Sequence, residues 1–138
     1  MSTHLKDKVE KIEDVIAKLV DESSKGITIV VEGKKDAETL RELGVEGPVV
    51  TVKTGGKSFL GVASEIESSA PSEVILLLDF DRRGREGTKL LRQSLERVKI
   101  KVNIEIWLQL KSLTGHEMQC IESLFSYLRN LSQKIKSF

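Results

Sequence analysis

Residues 74–87 read VILLLDFDRRGREG. The run from Val74 to Leu78 is apolar without alternation, and it is too short for one face of a helix. That pattern fits a strand buried on both faces, as in the middle of a parallel sheet. The run stops at Asp79, Phe80 and Asp81, and Arg82, Arg83, Gly84 and Arg85 follow at once. On an extended segment residues i and i+2 face the same way. Asp79 and Asp81 can therefore share one ligand while Phe80 points into packing.

Outward from this stretch the chain alternates strand and helix signals. ITIVV (27–31) is β-branched and almost wholly apolar, a second strand buried on both faces. VVTV (49–52) follows Gly47 and Pro48 as a short strand, and KVNIEIWL (101–108) alternates as a fourth. Residues 3–23 place Leu5, Val9, Ile12, Ile16 and Leu19 at helical spacing. Helices are also predicted over 35–43, 59–69 and 84–98, the last turning Leu90, Leu91, Leu95 and Val98 inward, and a final helix over 115–135. Strands separated by helices predict an α/β fold with about four parallel strands and helices on both faces. A length of 138 residues predicts one domain spanning 1–138, with a core over about 26–108.

Composition narrows the setting. The chain is 39% hydrophobic and 31% charged, and no stretch approaches the roughly 20 apolar residues of a membrane helix. The first residues lack the apolar segment of a secretory signal. The one cysteine, Cys120, cannot form an internal disulfide, and it has no Cys or His at zinc-ligand spacing. A cytoplasmic protein without a membrane partner is expected. Formal charge is −6 over residues 1–81 and +7 over 82–138, so a positive face toward a polyanion is also expected.

In an open parallel sheet, ligands bind beyond the carboxyl ends of the strands, where strand order reverses. Acids stand at two such ends: Glu32 after ITIVV, and Asp79 with Asp81 after VILLL. If those strands are neighbours, three carboxylates converge and need a compensating cation. Oxygen ligands without a nearby His or Cys in the motifs suit Mg²⁺ or Mn²⁺. Strand-terminal acids can otherwise simply solvate a loop or cap the next helix.

VVEGKKDAETL (30–40) followed by LLLDFDRRGRE (76–86) resembles the toprim domain, shared by primases, type IA and type II topoisomerases and the small ribonucleases that mature 5S ribosomal RNA. The Gly-Lys-x-Asp after Glu32 is closest to the ribosomal-RNA maturation enzymes and other small toprim proteins. The resemblance implies a three-layer Rossmann-like toprim fold. It also implies Glu32 as an acid/base or metal-coordinating residue, and Asp79 and Asp81 as metal ligands. Topoisomerase-type sequences often read Asp-Pro-Asp-Arg-Glu-Gly-Glu; here Phe80 replaces the proline and Arg83 stands at the first Glu position.

Basic residues surround these acids. Arg85, Lys89 and Arg92 are spaced i, i+4 and i+7 on one helix face, and Arg82 and Arg83 lie at that helix's start, where backbone N–H groups favour phosphate. Lys34 and Lys35 follow Glu32, and Lys53 and Lys57 flank the glycines of KTGGKS (53–58). That loop is not a P-loop, because Thr51 stands where its first glycine is required. Together these residues form a candidate track for a DNA or RNA backbone. An ordinary solvated face has the same charge pattern. His4 and His116 are expected at the surface, Cys120 in the core and Tyr127 in helix packing.

Two functional expectations follow. One is a Mg²⁺-dependent nuclease or phosphotransferase of toprim type, smaller than a complete topoisomerase or primase. The other is a nucleic-acid-binding module of a processing complex, with a nucleotide-binding regulator on the same scaffold as a further alternative. The amphipathic first and last helices also suit a homodimer interface.

Overall fold

The apolar runs become β1 (Thr28–Val31), β2 (Val49–Thr51), β3 (Glu73–Leu77) and β4 (Lys101–Asn103) in a computed structural model that describes residues 2–53 and 58–137. All pairings are parallel and the order is β2-β1-β3-β4. The two inner strands carry the most β-branched and leucine-rich sequence, because both their faces are covered. Ile29 and Val31 of β1 and Ile75 and Leu77 of β3 pack on one side; Val30, Val74 and Leu76 pack on the other.

Six α-helices cover the sheet among the described residues. They are α1 (Ser2–Ser24), α2 (Lys34–Glu42), α3 (Phe59–Ser69), α4 (Arg82–Arg97), α5 (Glu105–Thr114) and α6 (Leu124–Ser137). Residues of α1, α2, α5 and α6 share the first core with Ile29 and Ile75, whereas Val62, Ile66, Leu91 and Leu95 of α3 and α4 build the second. The result is the expected three-layer α/β sandwich. Connections from β1 lead to β2 on one side, and later connections lead back across to β3 and β4. The switch in strand order therefore falls between β1 and β3, the two strands that end in acids. No described helix is long and apolar enough to cross a membrane.

Three local expectations are corrected. KVNIEIWL is a strand only through Asn103; the chain then turns into α5. The Asn103 carboxamide accepts the Glu105 N–H at 2.9 Å, and the buried side chains Ile106, Trp107, Leu110 and Thr114 recur at helical spacing. The final helix does not begin at residue 115. Gly115 ends α5 with positive φ, and a 3₁₀ turn at Ile121–Ser123 precedes α6. Along α4, Leu91 and Leu95 are buried as expected, but Leu90 and Val98 are exposed: the buried face runs through Gly84, Thr88, Leu91 and Leu95, Leu90 lies about 100° off it, and Val98 caps the helix end.

Candidate functional site

Glu32 is the first residue past β1, and Asp79 lies two residues past β3, so both stand at the same edge of the sheet. The edge is held by the backbone. Lys53 N–H donates to the Glu32 carbonyl at 2.8 Å, and Phe80 N–H donates to the Gln119 carbonyl at 2.7 Å. Trp107 Nε1 donates to the Leu78 carbonyl at 2.7 Å, and its ring lies 5.9 Å from that of Phe80. Phe80 is therefore buried in packing, as its place between the two acids suggested.

The acids are held in four different ways. Glu32 is 1% exposed; its Oε2 accepts from Arg83 Nη1 at 2.9 Å, while its Oε1 is buried without a donor among the described residues. Arg83 reaches this acid with its guanidinium 5.0 Å from the centre of the Phe59 ring, a cation–π contact. Asp81 is the N-cap of α4, and its Oδ1 accepts the Gly84 N–H at 2.8 Å. Gly84 is demanded here, since a Cβ at this position would overlap the Asp79 carbonyl oxygen. Asp36 is buried, with Oδ2 accepting the Gly33 N–H at 3.0 Å and Oδ1 accepting the Glu122 N–H at 2.8 Å.

Asp79 is half-buried and makes no hydrogen bond or ion pair among the described residues. Burial, then the charges of Glu32, Asp36 and Asp81, push its carboxyl up to about 7, against a weaker pull from Lys53. Asp79, Asp36 and Cys120 each place a ligand atom within 4.8 Å of the other two. Glu32 and Asp81 are outside that triplet, one drawn to Arg83 and the other to the start of α4. Burial pushes the Cys120 thiol up as well, and Cys120 is only partly buried. A donor set rich in carboxylate oxygen, with an unpartnered buried Glu32 Oε1 and a strongly raised Asp79, fits a divalent cation.

The expected cations divide. Arg83 contacts Glu32 directly, and Lys53 acts on Asp79 through its charge. Arg85 Nη1 donates to the Phe80 carbonyl at 2.7 Å, close behind the acids. Arg82 is turned to Glu86 and Arg92 to Glu96, in exposed pairs along α4. Lys34, Lys35 and Lys89 are exposed. Lys57, with Gly55 and Gly56, lies outside the described residues. His116 is at the surface and Tyr127 is packed, as expected, whereas Cys120 sits by the acids instead of in the core.

Asp36 does not stand out in the sequence as a site acid, because it belongs to a charged helix start. Its spacing from Gly33 is that of a capping box, and this was the available signal. Its second partner, Glu122, is 86 residues away and leaves no local trace.

A UPF0292 protein of Methanocaldococcus jannaschii is 41% identical over 120 residues, spanning 86% of this chain and 91% of its own length. A UPF0292 protein of Methanosarcina acetivorans is 32% identical, spanning 92% of this chain and 86% of its own. A protein of known structure from Aquifex aeolicus superposes with a TM-score of 0.66 at 25% identity, covering 80% of this chain and 94% of that one. The toprim domain family model matches residues 27–108, which run from β1 into α5 and contain Glu32, Asp79 and Asp81. The chain belongs to the toprim domain family.

Proposed function

We propose that the protein binds a nucleic-acid strand at the β1–β3 edge together with Mg²⁺ or Mn²⁺, and cleaves or transfers a phosphodiester there. The observation that carries this reading is Asp79, a carboxylate at the strand-order switch with acids around it and, among the described residues, no cation in contact. Asp79 and Asp81 would hold the ion. When bound, the ion would neutralise phosphate charge and acidify a water molecule. Glu32 Oε1, buried and without a donor, is the atom available to take a proton from the attacking group. Arg83 keeps the other oxygen of that carboxylate in place. Lys34, Lys35, Lys53 and the exposed face of α4 with Lys89 and Arg92 would neutralise backbone phosphates on either side.

Binding without turnover is the second reading, and one observation favours it: Arg83 already occupies Glu32 Oε2. Labelled RNA and DNA incubated with Mg²⁺ or Mn²⁺ separate the two. The first reading expects cleavage or transfer that disappears in Asp79→Ala and Glu32→Gln. Salt-sensitive binding with no product would assign the second. Activity that persists in both variants would reject the proposed site.

A further inference from the structure

Beside the acidic edge, a cleft of about 440 Å³ lies between the start of α4 and the end of α5. Its lining includes Phe80, Arg85, Leu108, Lys111, His116 and Gln119, and no described lining residue is an acid. Arg85 spends one N–H on the Phe80 carbonyl, and Lys111 Nζ sits 5.2 Å from the centre of the Trp107 ring. Neither makes an ion pair among the described residues, and neither does His116. Arg82, Arg83 and Arg92 of α4, by contrast, each contact a carboxylate. Leu108 of the same cleft is 48% exposed, a large apolar side chain left in water.

Basic groups without counter-ions, gathered around an apolar patch in a space of this size, describe a site for a small anion with an apolar body. We propose that this cleft binds a nucleotide through its terminal phosphate. A phosphomonoester carries about −1.5 to −2 charges near pH 7, more than the single charge of a diester, and so matches several cations at once. Arg85 retains guanidinium N–H groups for a forked contact with phosphate oxygens, Lys111 adds a point charge, and Ser112 and Gln119 supply neutral hydrogen bonds. Leu108 offers its apolar surface to the sugar or base. Because Phe80 separates Asp79 from Asp81, a strand whose end lies in the cleft would pass directly to the acidic edge. The cleft itself requires no cation at that edge.

Fluorescence anisotropy in EDTA tests this, using the full chain and one labelled oligonucleotide in 5′-phosphorylated, 3′-phosphorylated and unphosphorylated forms. EDTA separates this result from any failure of the cation site. One phosphorylated form is expected to bind roughly tenfold tighter than the unphosphorylated form, the order of one charge-assisted hydrogen bond. His116→Ala and Lys111→Ala should each reduce that preference while leaving affinity for the unphosphorylated strand within about threefold; the exposed His116 leaves a variant whose fold is not at risk. Competition by adenosine monophosphate would assign a free nucleotide as ligand, and its failure to compete would assign a strand end. Equal binding of all three forms, or a preference unchanged in both variants, would overturn the proposal.

Discussion

The ends of β1 and β3 lie side by side, and each delivers a carboxylate to the same edge, yet the two are treated oppositely. At the β1 end, Glu32 is almost wholly buried and has been given its own cation, Arg83, whose side chain is 56% exposed. At the β3 end, Asp79 is half-buried among other acids and, among the described residues, has no cation in contact. Burying a charge is costly without a partner. Glu32 therefore obtains from within the chain a direct ion contact, whereas Asp79, pulled weakly by the Lys53 charge, is relieved by holding a proton or by binding an ion from solution. The difference identifies Asp79 as the dependent member of the pair, and the most informative position to perturb.

Breaking the Arg83 contact should have the largest effect. Arg83→Ala leaves Glu32 buried without its counter-ion, so a loss of roughly 2–4 kcal/mol is expected in urea unfolding. Adding Glu32→Gln should recover most of that loss; if the double variant is no more stable than Arg83→Ala, the pair is not coupled as described. A smaller loss, roughly 1–3 kcal/mol, is expected for Asp36→Ala, which strands the Gly33 and Glu122 N–H groups. Amide exchange should accelerate at Glu122 in that variant, and unchanged protection there would contradict its role in fastening the turn after α5.

Asp79 sharpens the comparison through pH. Its folded carboxyl titrates at about 7, above the ordinary 3.8, so the folded state holds this proton to higher pH than the unfolded chain. Its stabilising contribution is complete below the ordinary value and is lost as pH rises to about 7. Without divalent cations, thermal stability should thus fall between about pH 4 and pH 7 through this group. Asp79→Asn should flatten the fall and melt higher than the parent above pH 7. A variant with the parent's slope would remove Asp79 from the account.

Much of this layout can be read before any coordinates. The runs around Ile29 and Ile75 can be little other than strands covered on both faces, and strands of that kind carry their terminal acids to the ligand-binding edge. KVNIEIWL misleads because Val102, Ile104 and Ile106 alternate like a strand, while the helical set Ile106, Trp107, Leu110 and Thr114 only emerges further along. Asn103 tips the balance through a capping bond that a hydrophobic pattern does not register. The gathering of Asp36 and Cys120 beside Asp79, and of His116 and Lys111 around Phe80, depends on how α5 returns across the sheet edge. Those contacts span long sequence separations, so no local period reports them. The pairing of Arg83 with Glu32 is hidden for the same reason, across 51 residues.

The most direct test is Mn²⁺ binding followed by electron paramagnetic resonance, with Mg²⁺ as competitor. Stoichiometric binding to the folded protein is expected at neutral pH, displaced by Mg²⁺ and weakened by at least tenfold in Asp79→Ala, a difference of about 1.4 kcal/mol. Equal Mn²⁺ binding by the parent and the Asp79→Ala variant would contradict the assignment of the β1–β3 edge as a cation site.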